Sequence, residues 1–522
     1  MKRILLQAVP FVIVFTAITL LDLMLQREAN MQLDVCLGKT FLEWLFILGR
    51  AIKWGLVLSA PAFLLGRRSR VFYFILASYL VLVETIEVVS RVSYGMVLDG
   101  DWLMIIFASS MDEMREFFGQ FTWTGVLMTV LGFAVALTSA LFFFRRIRYP
   151  DTSRLSIAVG MLFCVPFVIA NLVLGNVKGV ANDVLYFYLP VDTVHNYAIY
   201  TDIAKTARTP RLPENTLADA DRIKETLGVF VIGESATRTH WYLYGYERPT
   251  TPMMSGIQKE LVVFKDVRSL HYYTGKSLRT LLTEVTRESP DETRSTFSQQ
   301  CSAAGYECSM FSAHSRWGRW EGIESLLFVG CNTKYYLREQ PESSPEALDN
   351  DLLPPAEKLI RSSSAGQIVF LHFMGSHAPP LFRYPLKRSI YPRYEGDLAP
   401  GVTVADSYMA QKIDCYDNSI AFTDLILGQV VDMLKSLHRK SFLVYLSDHG
   451  ETPSSPNWRD TSSNELYEVP FIIWFSPEYR ASYPETVAAI SALADEPRGL
   501  DKMLPLFRVL VHLDHVGSLV SH

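Results

Sequence analysis

The chain has 522 residues, of which 49% are hydrophobic and 20% charged, and its formal net charge is −5. This length leaves room for more than one domain, and a mean hydropathy of +0.15 exceeds what most soluble proteins need. The slightly acidic balance, with no basic face and no glycine-rich nucleotide motif, argues against nucleic-acid and nucleotide binding.

The hydrophobic excess lies in the first third of the chain, in five stretches that are each near the length needed to cross a hydrocarbon core. The predicted transmembrane helices are Ile4 to Leu25, Leu45 to Leu65, Val71 to Val92, Phe121 to Phe144 and Leu155 to Leu174. The first is predicted to remain on the mature chain, because more spans follow it and no clear cleavage site of small residues is present.

Positive charge clusters in the N-terminal tail and in the loops after the second and fourth spans. The clusters are residues 2–3, 67–70 and 145–148. Alternating spans put all three on one side of the membrane, which the positive-inside rule assigns to the cytoplasm. Five spans then carry the C-terminal half to the opposite side.

Charged residues also lie within the second and third spans. Arg50 and Lys53 are in the second span, and Glu84 and Glu87 in the third come to a matching depth. Charges inside a membrane are costly unless they are paired. The pattern predicts a structural ion pair, with a polar pocket for a lipid headgroup as the alternative.

The segments around the last two spans differ from the spans themselves. Residues 102–118 mix apolar and charged positions, which is typical of a helix lying on the bilayer surface. Aromatic residues typical of a membrane–water interface follow the fifth span, and a proline-containing run typical of a linker follows at 209–214. We predict a transmembrane domain over 1–176, a bridging helix and linker over 177–221, and an α/β domain over 222–522.

The second half of the chain alternates apolar runs of strand length with helical patterns. The predicted strands are Gly228 to Gly233, Leu261 to Val267, Cys308 to Ser312, Ile368 to Met374, Phe442 to Ser447 and Phe471 to Phe475, and predicted helices include Leu278 to Val285 and Ser419 to Leu437. This alternation predicts an α/β sandwich with a mainly parallel sheet.

Two of the predicted strands end beside possible metal ligands. Glu234 follows the strand that ends at Gly233, and Asp448 and His449 follow the strand that ends at Ser447. Ligands of open α/β sheets collect at the carboxyl ends of the strands. Zinc and manganese accept carboxylate oxygen and imidazole nitrogen, so these residues predict an incomplete metal shell. A capped strand end with a structural histidine is the alternative.

Six short blocks in the second half of the chain form a recognisable set. They are VIGESATR at 231–238, LYGYERPTTP at 243–252, YYTGKS at 272–277, GSHAP at 375–379, YDNS at 416–419 (leading to TD at 423–424) and SDHGE at 447–451. The set resembles the membrane-bound phosphoethanolamine transferases of Gram-negative envelopes, which belong to the alkaline phosphatase and sulfatase superfamily. Members carry a nucleophilic threonine about forty residues after the metal-binding glutamate, and here that spacing leads from Glu234 to Thr274.

The resemblance implies that Glu234, Thr274, Asp448 and His449 hold a zinc ion, with manganese as the alternative. Thr274 would then attack the phosphorus of a phospholipid donor, because coordination favours the alkoxide of a hydroxyl that is otherwise a poor nucleophile. The implied architecture is a helical transmembrane domain plus an α/β sandwich of the alkaline phosphatase and sulfatase type. The chain would be a multi-pass protein of the inner membrane with its catalytic domain in the periplasm.

Other polar side chains near these motifs are weaker candidates. Ser235 and Thr237 are rival nucleophiles, but a side chain adjacent in sequence to a ligand rarely converges on the same ion. His377 is expected to donate a proton to the leaving group or to hold a phosphate oxygen. His372 lies inside a predicted strand and is expected to be structural.

One departure from the family pattern concerns acceptor binding. Members often carry another histidine between the DHGE block and the following strand, whereas this chain has none from Glu451 to Pro470 and its next histidine is His512. This difference puts acceptor binding or a second metal site in doubt and leaves the four proposed ligands in place.

Four of the six cysteines lie in the predicted periplasmic domain: Cys301, Cys308, Cys331 and Cys415. An oxidising compartment permits two disulfides among them, with three possible connectivities, and free buried thiols are the alternative.

The resemblance favours a two-step transferase. Such an enzyme would move phosphoethanolamine from phosphatidylethanolamine to lipid A or the lipopolysaccharide core through a phosphothreonine intermediate, and would weaken the attraction of cationic antimicrobial peptides to the cell. A metal-dependent phosphoglycerol transferase or phosphodiesterase is one alternative, and a non-catalytic membrane scaffold is another. A sulfatase reaction is disfavoured because Thr274 lacks the C/S-x-P-x-R context.

Overall fold

The computed structural model describes most of the chain. The described residues are 9–17, 41–94, 123–150, 152–173, 216, 219–286, 295–314, 323–340, 347–391, 407–455 and 463–520. They divide into two compact units, one within residues 9–173 and the other within residues 216–520. The predicted surface helix at 102–118 and most of the predicted linker at 177–221 lie outside the described residues, and the domain boundaries stay predictions.

The N-terminal unit is helical. Besides a helical segment at 9–17, its helices are α1 (Phe41–Leu65), α2 (Arg70–Tyr94), α3 (Trp123–Arg146) and α4 (Arg154–Val173). These four helices coincide with the second to fifth predicted spans. The side chains of Arg50, Glu84 and Glu87 lie outside the described part, so their ion pair stays a prediction.

One helix of the described residues, α3, is long and apolar enough to cross a membrane, over Thr129–Arg146. Its large apolar side chains, among them Leu131, Val135 and Phe142, are exposed in the structure, as in a helix that faces lipid. Arg154–Phe163 is a shorter apolar stretch. The helical character of the unit is therefore observed, and the count of five spans stays a prediction.

The C-terminal unit is built on a seven-stranded mixed sheet, in the order β2-β9-β7-β1-β6-β4-β5. Its strands are β1 (Thr226–Gly233), β2 (Leu261–Val263), β4 (Glu307–Ser312), β5 (Thr333–Tyr336), β6 (Gln367–His372), β7 (Lys440–Ser447) and β9 (Phe471–Phe475), and a smaller sheet joins β10 (Arg498–Gly499), β3 (Val267–Arg268) and β8 (Glu468–Val469). Strands β7, β1, β6, β4 and β5 are parallel, whereas β9 runs antiparallel to β7 and β2.

Helices cover both faces of this sheet. They are α5 (Ala220–Glu225), α6 (Pro252–Gly256), α7 (Thr274–Leu282), α8 (Phe297–Ala303), α9 (Ile323–Leu327), α10 (Leu353–Ser362), α11 (Ser407–Leu437), α12 (Pro477–Ser482), α13 (Pro484–Ala492) and α14 (Leu504–Leu510). Side chains alternate along β1, so that Phe230 lies in one core and Val231 in the other. Leu278 of α7 belongs to the first core, and Ile426 of α11 to the second. The predicted α/β sandwich is confirmed.

Three boundaries differ from the sequence predictions. The predicted strand Leu261 to Val267 is two strands, β2 and β3, which belong to different sheets. The helix predicted from Leu278 begins at Thr274, and the helix predicted from Ser419 begins at Ser407. Polar first turns without apolar periodicity hide both of these starts from pattern analysis.

The cysteines of this unit are arranged so that one pair is in contact. None of the four forms a disulfide in the structure, and all are buried. The Sγ atoms of Cys308 and Cys331 lie 2.6 Å apart, and the backbone N–H of Asn332 donates to the carbonyl of Cys308 at 3.0 Å. These two thiols can be joined with little movement of the backbone.

We therefore expect a single disulfide, Cys308–Cys331, when the protein is made in an oxidising compartment. The bridge would close a loop of 23 residues and stabilise the unit by about 3 kcal/mol. Peptide mapping without reduction identifies the bridge. Thermal melting of Cys331→Ser beside the wild type measures what the bridge contributes to stability. A bridge to Cys301 or Cys415, or a mapped protein with four thiols, would contradict the expectation.

Candidate metal centre

The sequence-predicted ligands meet at the carboxyl edge of the main sheet. Strand β1 lies between β7 and β6, and Gly233 at its end is paired with Ser447 of β7. The next residues along each strand, Glu234 and Asp448, therefore emerge side by side. Parallel strands bring their carboxyl ends to one edge, which is where such folds place their ligands.

Glu234 is the centre of the cluster. Its Oε1 and Oε2 each accept a hydrogen bond of 2.9 Å from Thr274 Oγ1, and its Oε1 lies 3.2 Å from His449 Nε2. Asp448 Oδ2 lies 3.4 Å from the same nitrogen. Ligand atoms of the two carboxylates and the imidazole all fall within 4.8 Å of one another, and the three side chains are 0% exposed. The structure thus brings together all four residues predicted to form the metal shell.

The backbone around Glu234 is held in an unusual conformation. Ser235 has a φ of 58°, in the left-handed region that residues other than glycine seldom adopt. Its N–H donates to Asp448 Oδ1 at 3.1 Å. A Cβ at Gly375 would lie 2.7 Å from the backbone nitrogen of Glu234, so only glycine fits there. Strain of this kind persists where the surrounding structure fixes a functional group.

The orientation of His449 is set by the backbone of the next residue, Gly450. Nδ1 lies 2.7 Å from the carbonyl oxygen of Gly450, and a carbonyl can only accept, so Nδ1 carries a proton. Nε2 is then the nitrogen that faces the carboxylate oxygens of Glu234 and Asp448, and loss of its proton would offer a lone pair to a metal ion. This is the geometry of a histidine prepared to bind a metal ion.

The charge balance of the cluster also fits a cation. Burial acts to raise the pKa of Glu234, but the hydrogen bond and charge of His449, with smaller contributions from His377 and His314, lower it below its usual range. Burial and the charge of Glu234 raise the pKa of Asp448. Asp448 Oδ2 is buried and accepts no hydrogen bond. Two carboxylates compete for one imidazole, and a divalent cation would satisfy all three groups.

Thr274 reaches Glu234 from a different layer of the fold. It is the first residue of α7, whose Leu278 and Leu281 are buried in the core beneath the sheet. This packing fixes the first turn of the helix at the sheet edge. The first N–H groups of a helix have no partner within it, and the positive end of the helix dipole favours negative charge near its first turn.

The rival nucleophiles are less well placed. The hydroxyl of Ser235 is buried and donates to Glu234 Oε1 at 3.1 Å. The hydroxyl of Thr237 donates to the carbonyl of Glu468 at 3.2 Å and lies outside the cluster. Thr274 is half-buried and contacts both oxygens of Glu234.

The histidines predicted around the site lie at different distances from it. His377 is half-buried in the loop after β6, and its charge acts on Glu234, although it belongs to neither group of potential ligands among the described residues. His372, which the sequence predicts to be structural, can share a metal ion with Glu234 together with His314. Sequence analysis missed His314. The one sequence feature that could have indicated it is its position two residues after an apolar strand.

A buried lysine of α11 reaches the segment after the DHGE block, where the expected histidine is absent. Lys412 Nζ donates to the carbonyl oxygens of Thr452 at 3.2 Å and Ser455 at 2.6 Å, directly after the DHGE block. Burial lowers the pKa of Lys412 to about 8. This residue had no sequence signal, because it is one polar position within a long helix.

Much of the sequence signature turns out to build the scaffold. Asp417 Oδ1 accepts from His240 Nδ1 at 2.7 Å, and its Oδ2 accepts from Tyr246 at 2.9 Å and Arg248 at 2.8 Å. Asp424 accepts from the first N–H groups of α6. These contacts join residues 240–254, here called the signature loop, to α11 and so fix the segment that follows Glu234.

Comparison with known proteins agrees with this geometry. The Escherichia coli K12 phosphoethanolamine transferase EptC is 22% identical over 449 residues, which cover 81% of this chain and 77% of EptC. The E. coli K12 Kdo(2)-lipid A phosphoethanolamine 7''-transferase is 26% identical over 310 residues, covering 57% of this chain and 52% of that protein.

Solved structures give the same assignment. The zinc complex of the C-terminal periplasmic domain of E. coli EptC matches with a TM-score of 0.52 at 25% identity, covering 59% of this chain and 88% of that one. The integral membrane protein lipooligosaccharide phosphoethanolamine transferase A of Neisseria meningitidis matches with a TM-score of 0.66 at 16% identity, covering 98% and 95%. The second match, which covers nearly the whole chain, shows that this chain shares its fold with that membrane protein.

The resemblance inferred from the sequence motifs is therefore confirmed at the level of family. The sulfatase family model matches residues 226–500, a span that contains every strand of the main sheet and all four residues of the candidate metal shell. Since this match covers more than half of the chain, the chain belongs to the sulfatase family.

Proposed function

We propose that this protein transfers phosphoethanolamine from phosphatidylethanolamine to lipid A or the lipopolysaccharide core. Similarity to named phosphoethanolamine transferases supports the reaction class. The observation that carries the proposal is the position of Thr274 Oγ1, 2.9 Å from both oxygens of Glu234 at the edge of a buried ligand cluster. A hydroxyl in that position can act as a nucleophile toward phosphorus.

In this proposal Glu234, Thr274, Asp448 and His449 hold one zinc ion, with manganese as the alternative. The zinc complex of the E. coli EptC domain supports zinc. When bound, the ion would lower the pKa of the Thr274 hydroxyl and offset negative charge on the phosphoryl oxygens. Glu234, already hydrogen-bonded to Thr274, holds the hydroxyl in position, and the proton of the hydroxyl passes to solvent as the alkoxide forms.

The reaction would proceed in two displacements. Thr274 Oγ bonds to the phosphorus of the donor, the bond from phosphorus to the diacylglycerol oxygen breaks, and that oxygen leaves with a proton. A phosphate or hydroxyl oxygen of the acceptor then bonds to the same phosphorus, and the bond to Thr274 breaks. The N-terminus of α7 stabilises the anionic phosphothreonine between the two steps.

His377 is proposed to supply the proton that diacylglycerol takes. It lies in the loop after β6, and the backbone N–H of the neighbouring Ser376 donates to the carbonyl oxygen of Glu234 at 2.9 Å, which holds that loop beside Glu234. A half-buried imidazole in this place can protonate a leaving oxygen or contact a phosphate oxygen.

The proposed location is the inner membrane of a Gram-negative cell, with residues 222–522 in the periplasm. The apolar helix α3 and the match to an integral membrane transferase support a membrane anchor. A catalytic unit tethered to the membrane would meet a lipid headgroup without extracting the lipid. The donor is therefore proposed to be a membrane phospholipid.

Mass spectrometry of lipid A and core oligosaccharide tests the proposal. The chain is expressed in a Gram-negative host deleted for its own phosphoethanolamine transferases, with empty vector as the control. We expect a phosphoethanolamine increment on lipid A or core, with diacylglycerol rising in parallel. A glycerol phosphate increment would reassign the headgroup, and no increment from folded, metal-loaded protein would contradict transfer to these acceptors.

A further inference from the structure

A second group of potential metal ligands lies on the other side of Glu234 from Asp448 and His449. In the main sheet, β1 is followed by β6 and then β4. His372 is the last residue of β6, paired with Ile232 of β1 and with Ser312 of β4. His314 follows β4 by two residues. Three neighbouring parallel strands therefore bring Glu234, His372 and His314 to one edge.

The ligand atoms of these three residues lie within 4.8 Å of one another. His372 Nε2 is buried and has no hydrogen-bond partner, while Nδ1 lies 3.3 Å from Ser312 Oγ. His314 Nε2 lies 2.9 Å from the carbonyl oxygen of Phe373, to which it must donate, so Nδ1 is its free lone-pair nitrogen. A buried nitrogen without a partner beside a carboxylate indicates a missing ligand.

We propose that His372 and His314 hold a second divalent cation, with Glu234 as the carboxylate that bridges it to the first. The proposal rests on the proposed function only in that Glu234 also belongs to the zinc site described there. A second cation beside Thr274 would contact an oxygen of the transferred phosphoryl group or of the acceptor, as in enzymes with two metal ions.

The chemistry of the group favours a cation over a phosphate. Glu234 is a carboxylate and would repel an anion, and the buried Nε2 of His372, which has no hydrogen-bond partner, can offer a lone pair to a cation. Two imidazole nitrogens and one carboxylate oxygen form a donor set suited to zinc, with water or substrate completing a tetrahedron.

One movement is required to close this site. The rings of His314 and His372 are stacked, with centroids 4.1 Å apart and planes inclined by 13°. The lone pair of an imidazole nitrogen lies in the plane of its ring, so two stacked and nearly parallel rings cannot both direct a lone pair at one ion about 2.1 Å away. His372 is fixed at the end of a buried strand, whereas His314 is half-buried after β4. Binding would therefore turn the His314 ring out of the stack and break its hydrogen bond to the carbonyl oxygen of Phe373, so that either ring nitrogen of His314 could face the ion.

The number of zinc ions bound per chain tests the proposal. The full-length protein in detergent is saturated with zinc and then desalted before the measurement. We expect about two zinc ions per chain in the wild type and about one in His314→Gln, measured by plasma mass spectrometry. The control is His438→Asn, which removes an imidazole that is 83% exposed and should leave two ions. Its φ of 50° is one that asparagine accepts.

One ion per wild-type chain, or two ions in a folded His314→Gln, would overturn the second site. If that variant does not fold, anomalous scattering at the zinc edge from wild-type crystals decides, by showing a peak between Glu234 and the two histidines or none. The result is separable from the proposed function: two ions without lipid modification would retain the second site and reject the transferase. Lipid modification by a protein that holds a single ion would retain the transferase and reject the second site.

Discussion

Changing Thr274 to alanine is expected to lower phosphoethanolamine transfer by about 10³-fold or more, the scale of effect when a covalent nucleophile is removed. The hydroxyl of Thr274 is the group that contacts both oxygens of Glu234, and alanine leaves no oxygen there to bond to phosphorus. Thr274→Ser keeps the oxygen at the same N-terminal turn of α7 and is expected to retain activity within about tenfold. Transfer is measured on labelled donor lipid with protein of equal abundance.

The covalent step has its own measurement. Incubation with phosphatidylethanolamine in the absence of acceptor should leave phosphoethanolamine on residue 274 in the wild type and in Thr274→Ser, and on no residue in Thr274→Ala. Peptide mass spectrometry locates the adduct. An adduct on Ser235, whose hydroxyl also contacts Glu234, would move the nucleophile to that residue. Equal transfer by the alanine variant, with no adduct on any residue, would remove the covalent mechanism altogether.

The central strands of the fold could be predicted from the sequence because they are buried on both faces. Strands β1, β6, β7 and β9 are continuous apolar runs bounded by small or polar residues, and each prediction is within two residues of the structure. The edge strand β5 was missed, because Thr333–Tyr336 is half exposed and carries no apolar run. Two-residue strands such as β8 and β10 have too few positions to show any period.

The four proposed ligands of the first metal were predictable for a different reason. Asp448 and His449 stand at the end of an apolar run, and Glu234 stands at the end of another, so that strand ends alone pointed to a shared edge. The family resemblance then supplied Thr274, which no periodicity indicated.

The second histidine pair could not be inferred from the chain. His314 and His372 are far apart in sequence, and their approach depends on the order of strands β1, β6 and β4, which the linear sequence does not state. His372 also lies within an apolar strand, where a structural histidine is the ordinary interpretation. Only the sheet order shows that both residues reach the edge beside Glu234.

Replacing Asp417 by alanine is expected to destabilise the C-terminal unit by about 3–5 kcal/mol, the usual cost of removing one partner from a buried ionic network. Asp417 is 0% exposed and accepts from His240, Tyr246 and Arg248. Alanine leaves these donors without their carboxylate and detaches the signature loop from α11. Thermal melting of the full-length protein in detergent measures the loss.

Asp414→Ala is the matched control, because Asp414 lies one turn earlier on α11 and accepts from the same Arg248 at 2.7 Å. Its side chain is 14% exposed and the arginine is 31% exposed, so solvent screens the pair and the expected loss is about 1 kcal/mol or less. Equal melting of the two variants would show that Asp417 contributes no more than a surface ion pair. A normal transfer rate per folded molecule in Asp417→Ala would show that Asp417 and its contacts stabilise the scaffold. Loss of transfer with normal melting would show that they take part in substrate binding.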